Sequence, residues 1–258
     1  LKNKTAGAVV FTDLDGTLLT SKFSYRETQP LIKRLLALNV HIALCSSKTK
    51  LEIEFYREKL GIKDPFISEN GAAIFIPRNY FKPNPRYGKQ PERYDIIELG
   101  VPYQKVRQHF ERIRQKCACR IIGFGDMTAE EIAQHSGLTL ELAKLAKQRE
   151  YSEPFRIEGK QKRARLFEAI RQECLSYAKG GKYYHLTGNH DKGKAVTILK
   201  WLYKQEFGRL TTYGVGDKPN DISMLAAVDH PVWVSRTDKL HSVWETITSL
   251  IQSQLKEN

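Results

Sequence analysis

Apolar residues in this chain come in short unbroken blocks separated by longer stretches in which they recur with helical period. Ala8 to Thr12 and Val40 to Cys45 are such blocks, and they read as strands buried on both faces. The stretches after them predict helices, Thr28 to Leu38 with Pro30 near its first turn and Lys48 to Leu60 closed by Gly61. The same grammar returns far downstream. There the pattern predicts a helix over Lys192 to Phe207, a strand over Leu210 to Val215 and a short helix over Asn220 to Ala227. A strand over Pro231 to Val234 and a final helix over Lys239 to Leu255 complete it. Strands alternating with helices predict an α/β fold with a parallel sheet and right-handed crossovers.

The middle of the chain has a different texture. Residues 79–92 are rich in proline and polar side chains and predict a loop. A strand (Ile96 to Leu99), a helix (Tyr103 to Lys116) and a strand (Cys119 to Phe124) follow. Two helices (Thr128 to His135, Thr139 to Arg149) and a strand-helix-strand passage from Phe155 to Leu186 come next. This order predicts a separate α/β module, residues 83–187, inserted into a core domain made of 1–82 and 188–258. No repeat or low-complexity segment interrupts it.

Composition narrows the class without naming a chemistry. With 258 residues, 41% hydrophobic and 28% charged, the chain can bury a core and is not a disordered polyelectrolyte. No apolar run reaches the length of a membrane span, and the six apolar residues from Ala6 run straight into acidic ones without a cleavage signal. The cytosol is the compartment this implies. Four cysteines are too few for a disulfide framework, and Cys117-Ala118-Cys119 lacks partners at zinc-ligand spacing, so reduced thiols are expected. A net charge of +13 suits an anionic ligand, either nucleic acid or a phosphate ester. The basic residues are scattered, however, and no nucleic-acid-binding motif accompanies them.

Chemistry enters with Asp13-Leu14-Asp15-Gly16-Thr17, at the end of the first buried strand. Carboxylates at i and i+2 of an extended chain point the same way and repel unless a cation sits between them. Sites in open parallel sheets lie beyond the carboxyl ends of the strands. An Asp-Gly turn with two solvated acids would look the same in isolation. A second acidic motif, Gly216-Asp217-Lys218-Pro219-Asn220-Asp221, follows another buried strand and opens a helix, where Asn220 suits a cap. Asp217 and Asp221 offer the oxygen ligands that hard Mg²⁺ prefers. Ser46 and Ser47 end the second strand, Ser46 suited to phosphate oxygens and Ser47 to a helix cap as well. Lys192 opens a long helix, where its charge would offset a phosphate.

These four elements, in this order across the whole chain, resemble the haloacid dehalogenase superfamily of phosphatases. The resemblance implies a Rossmann-like core with an inserted α/β cap. Finer stretches, Ile67-Ser68-Glu69-Asn70-Gly71-Ala72, Gly123 to Met127, Arg149 to Phe155 and His185 to Gly188, are similar to the mannosyl-3-phosphoglycerate phosphatases. Cys45-Ser46-Ser47 replaces the Thr-Gly-Arg usual in sugar-phosphate members with similar caps. By this resemblance Asp13 is the nucleophile, Asp15 the general acid and base, and Ser46 and Lys192 the phosphate clamps. Mg²⁺ would be held by Asp13, the carbonyl of Asp15 and Asp217, with Asp221 nearby or bridged through water. Substrate contacts are expected from Ser47, Glu69, Asn70, Gly71, Asp126, Arg149, Ser152, Glu153, His185, Thr187 and Asn220, with Arg149 the foremost carboxylate binder. The partner is then a small phosphorylated sugar-glycerate, not nucleic acid or membrane. A related sugar-phosphate phosphatase, acting on glucosyl-3-phosphoglycerate or sucrose phosphate, and a basic nucleic-acid binder on the same fold are the competing readings.

Overall fold

The computed structural model describes residues 7–82, 93–159 and 163–257. Its centre is a four-stranded parallel sheet. β1 (Gly7–Thr12) lies between β2 (His41–Leu44) and β10 (Leu210–Gly216), and β11 (His230–Trp233) lies outside β10. The unbroken apolar character of β1 follows from covering on both faces. Ala8 and Val10 point into one apolar cluster with α1 (Gln29–Ala37), α2 (Lys50–Leu60) and α9 (Leu240–Glu257). Val9 and Phe11 point into the other, with α7 (Lys192–Phe207) and α8 (Ile222–Ala226). Alternation within a uniformly apolar strand thus serves two cores at once.

Beside β2 stands a small antiparallel sheet of β3 (Phe66–Ser68), β4 (Ala73–Pro77) and β5 (Tyr94–Glu98). Hydrophobic patterning alone does not predict β3 and β4, which are three and five residues long. A parallel bridge between Cys45 and Ile67 joins this sheet to the end of β2. The strand expected to open the inserted module, β5, pairs instead with β4, in register from Ala73–Glu98 to Pro77–Tyr94. Residues 83–92 of the predicted loop lie outside the described residues.

The rest of the module forms its own layer. Its sheet runs in the order β6 (Ile121–Gly123), β7 (Glu153–Ile157), β9 (Tyr184–Thr187), β8 (Ser176–Lys179), all antiparallel. Helices α3 (Tyr103–Cys117) and α6 (Arg163–Gln172) pack on it through Val106, Phe110, Ile113, Leu166 and Ile170. Helices α4 (Ala129–Ser136) and α5 (Leu140–Ala146) pair with each other. α5 also reaches α2 of the core, where the Thr49 hydroxyl donates to the Leu145 carbonyl at 3.1 Å. Among the described residues no helix is long and apolar enough to cross a membrane.

Two local expectations change. Cys117 and Cys119 are joined in a disulfide rather than held as thiols. Ala118 between them is left-handed (φ 50°), which folds the chain back and brings the two Cα atoms to 5.1 Å. The cap of α2 is Thr49, not Ser47, because Thr49 accepts the Glu52 N–H while Glu52 accepts the Thr49 N–H, a reciprocal box.

Trp244 of α9 is fully buried, and its indole donates to the Thr17 carbonyl at 2.9 Å, tying the last helix to the loop after β1. Trp244→Ala is expected to cost about 3–5 kcal/mol of stability in denaturant titration.

Candidate active site

Three carboxyl ends of the parallel sheet converge. The chain leaving β1 carries Asp13 and Asp15, that leaving β2 carries Ser46, and that leaving β10 carries Asp217 and, at the end of a 3₁₀ turn (Pro219–Asp221), Asp221. Gly16 makes the turn after Asp15 with φ 88°, and a Cβ there would lie 2.4 Å from an Asp217 oxygen. Only glycine lets the two acidic loops approach this closely.

Lys192 ties them together. It is fully buried at the first position of α7, and its ammonium donates to Asp13 Oδ1 at 2.8 Å and Asp221 Oδ1 at 2.6 Å. Burial alone would raise the Asp13 carboxyl, but Lys192 and Lys218 outweigh it and hold Asp13 below the usual carboxylate range. Asp221 goes the other way. Burial and the charge of Asp13 raise it despite Lys192. Its second oxygen accepts the backbone N–H groups of Asp217 (3.0 Å) and Lys218 (2.9 Å), closing the acidic loop on itself. The helix cap expected of Asn220 is absent; the Asn220 amide donates instead to Asn70 Oδ1 at 2.9 Å.

Asp15 has a different environment. A third of its side-chain surface is open to the cleft, yet the walls are close enough that burial raises its pKa against the pull of Lys48 at 2.9 Å. Its other oxygen, Oδ1, is buried with no hydrogen-bond partner. Lys48 is itself buried beside Glu52 (3.3 Å) and near the rings of Phe23 and Tyr56.

Oxygens of Asp13, Asp217 and Asp221 all lie within 4.8 Å of one another, which suits a hard divalent cation. The Lys218 ammonium stands among the same group. It contacts the Asp15 carbonyl, Asp217 Oδ1 (2.8 Å) and Asp13 Oδ2 (3.7 Å), so the donor set attracts positive charge. These residues therefore fit the Mg²⁺ expected from the sequence.

A cleft of about 270 Å³ opens from this cluster toward the inserted module. Asp13, Asp15, Ser47, Arg149, His185 and Asn220 of the expected residues line it. Glu69, Asn70 and Gly71 form the turn behind, all three left-handed (φ 46°, 61° and 94°). A Cβ on Gly71 would sit 2.1 Å from the Asp191 carbonyl, so this turn presses against the start of α7. Arg149 is engaged by protein groups: Glu69 (3.2 Å), the Ser152 hydroxyl (2.7 Å) and the Ser47 carbonyl (3.0 Å). Ser152 in turn donates to Glu69 at 2.7 Å. Asp126, Glu153 and Thr187 stand away from the cleft lining. Asp126 pairs with Arg107 and Arg114, and Glu153 accepts from Tyr103 and the Gly125 N–H. Thr187 lies in β9 opposite Ser176.

Sequence reasoning passed over Lys48, Lys182 and Lys218, all of which line the cleft, and Phe23, Phe124 and Tyr183 beside them. Lys48 and Lys218 sit inside motifs already recognised, so adjacency to Ser47 and Asp217 was the available signal.

The model of the haloacid dehalogenase-like hydrolase family matches residues 10–248. The chain belongs to this family. A glucosyl-3-phosphoglycerate/mannosyl-3-phosphoglycerate phosphatase of Methanococcoides burtonii is 42% identical over 89% of the chain and 85% of its own length. A protein of the same name from Persephonella marina is also 42% identical, over 90% of the chain and 86% of its own. A mannosyl-3-phosphoglycerate phosphatase of Pyrococcus horikoshii is 35% identical over 94% and 96%. Among solved structures, a Thermoplasma acidophilum protein matches in fold with a TM-score of 0.65 at 18% identity, covering 96% of this chain and 99% of its own. A haloacid dehalogenase-like hydrolase from B. subtilis gives 0.63 at 19%, over 95% and 98%.

Removing Lys192 should leave two buried carboxylates without their cation. Lys192→Met is expected to cost about 3–5 kcal/mol at neutral pH in chelator, read by urea denaturation. Without the lysine both folded-state carboxyl pKa values lie above their unfolded values. The deficit is therefore largest above the raised folded-state values and shrinks as pH falls through them toward the unfolded ones. A deficit that grows on acidification would contradict this account.

Proposed function

We propose that this hydrolase removes phosphate from mannosyl-3-phosphoglycerate, yielding mannosylglycerate and phosphate through an aspartyl-phosphate on Asp13. The observation that carries the reading is the placing of two carboxyl groups two residues apart at one strand end, Asp13 held by Lys192 at 2.8 Å and Asp15 by Lys48 at 2.9 Å. Lysines hold Asp13 ionised, while burial pushes Asp15 toward its protonated form. Neighbouring carboxyls driven in opposite directions mark a nucleophile and an acid.

In the first half-reaction an Asp13 oxygen attacks phosphorus, and the phosphorus–oxygen bond to the glycerate breaks. Asp15 gives its proton to the departing oxygen, and its unpaired Oδ1 is the group with no competing protein contact. In the second, Asp15 takes a proton from water, whose oxygen attacks phosphorus and frees Asp13. Lys192 and Ser46 hold the oxygens on which charge collects. Asp13, Asp217, Asp221 and the Asp15 carbonyl would hold Mg²⁺, which, when bound, offsets the repulsion between an anionic nucleophile and an anionic ester. The antiparallel layer from Tyr103 to Thr187 serves as the cap that selects substrate, with β5 kept by the core through its pairing to β4. Asn70 Nδ2 and Asn220 Oδ1, both buried without partners, are suited to the substrate's hydroxyls. The names of the two 42%-identical relatives support glucosyl-3-phosphoglycerate as a second substrate.

Phosphate release from mannosyl-3-phosphoglycerate, with and without Mg²⁺, tests the reading. Wild type should release phosphate only with the metal, and Asp13→Asn should abolish release. Asp15→Asn should lower kcat by about 10²–10⁴-fold while leaving the fold intact. A wild type that ignores the ester but cleaves other sugar phosphates would overturn the substrate and keep the chemistry.

A further inference from the structure

A glycosyl-3-phosphoglycerate carries a second anion, the carboxylate of its glycerate, and the cleft must hold it as well as the phosphate. The cations that line the cleft are Lys48, Arg149, Lys182 and Lys218. Lys48 is neutralised by Asp15 and Glu52, and Lys218 by Asp217 with Asp13 behind it. Arg149, the residue that the sequence singles out for this task, is committed to Glu69, and its side chain is only 2% exposed. Bringing a further carboxylate to any of these would mean competing with one already in place.

Lys182 is different. It sits in the Gly180-Gly181-Lys182-Tyr183 turn between β8 and β9, on the module's side of the cleft. Its ammonium donates to the carbonyls of His135 (3.3 Å) and Ser136 (3.2 Å) at the end of α4. Those bonds fix its position without neutralising it, and an ammonium has a third donor to give. Among the described residues that line the cleft, it is the one cation with no carboxylate partner.

The second observation is independent. His185, three residues on and also lining the cleft, is buried, and its Nδ1 has no hydrogen-bond partner. A buried polar nitrogen left unpaired in a protein is costly unless a ligand completes it. Burial, with Arg149, Lys192 and Lys48 adding to it, pushes the imidazole pKa down to about 3, so the ring stays neutral. A neutral imidazole can donate one hydrogen bond without adding a charge. Phe124 and Tyr183, edge to face at 4.9 Å, stand beside this pair and give an apolar surface for the non-polar face of a sugar ring.

We infer that Lys182 and His185, on the β8–β9 hairpin of the cap, form the subsite that binds the substrate's carboxylate and so set the preference for phosphoglycerate esters over neutral phosphate esters. This rests on the substrate class proposed above. The arrangement divides the labour between layers: the core holds the phosphate and the cap hairpin holds the carboxylate.

The test compares mannosyl-3-phosphoglycerate with the analogue whose carboxylate is replaced by a hydroxymethyl group, in wild type, Lys182→Met and Lys182→Arg. Wild type should prefer the acid. Lys182→Met should raise KM for the acid by about 10–100-fold, the worth of a charge-assisted hydrogen bond, with kcat held, so that the preference over the analogue collapses. Lys182→Arg, which keeps the charge, should retain most of that preference. Lys182 lies exposed in a turn, so the variants are read as folded by unchanged circular dichroism. If Lys182→Met keeps the wild-type preference, the subsite is overturned while the substrate reading stands. If wild type cleaves both esters equally, no carboxylate subsite exists and the inference also fails. If wild type cleaves neither, the proposed substrate falls, a result the first two outcomes cannot mimic.

Discussion

The structure depends on one buried ammonium. Lys192 lies between Asp13 and Asp221, which belong to loops 208 residues apart in the chain. Two carboxylates at the same sheet edge would force the loops after β1 and β10 apart, because each charge has left water and faces the other in a medium that screens poorly. The lysine changes the sign of that interaction. It also accounts for the register of α7, whose first residue must reach the sheet edge, and for the close packing of α7 onto the second acidic loop. Gly193, the next residue, shows how close: a Cβ there would meet the Ser223 carbonyl at 2.4 Å.

Around this pair the site is arranged as cations and anions in alternation: Lys192 between Asp13 and Asp221, Lys218 between Asp217 and Asp13, Lys48 between Asp15 and Glu52. Such alternation keeps each acid ionisable on its own terms. Asp13 and Asp15 share a strand end and both are raised by burial, yet they are driven in opposite directions because Lys192 and Lys218 both bear on Asp13, whereas Asp15 has Lys48 and also feels the charges of Asp13 and Glu52. The net charge of +13 lies elsewhere: pairs such as Arg107 with Asp126 and Lys116 with Glu173 cancel within themselves, so the excess is carried by basic residues that outnumber the acids.

What could be read from the sequence was whatever chemistry forces to be contiguous. A buried strand followed by Asp-x-Asp-Gly, or by Gly-Asp with Asn-Asp three residues on, carries its geometry in its spacing. The parallel sheet was legible for a similar reason, since strands covered on both faces have to be unbroken apolar runs. The antiparallel strands β3 and β4 were not, because their few residues are too short to display a period. Nor was the allegiance of β5, which a distant partner decides. Arg149 looked available for a ligand because Glu69 lies 80 residues away in the chain and only the fold brings them together. Lys182 was hidden among 42 lysines and arginines, and it stands out only once the fold shows which cations line the cleft and which of those already face a carboxylate.

The contact around Glu69 has a mechanical meaning. This core residue accepts from the Glu150 N–H, the Tyr151 N–H and the Ser152 hydroxyl, and it faces Arg149, so four consecutive residues of the inserted segment converge on one buried carboxylate. The segment is thereby fastened to the core at a single side chain, and removing the Glu69 carboxylate would leave the buried Arg149 without its nearest anion and two backbone N–H groups without their acceptor.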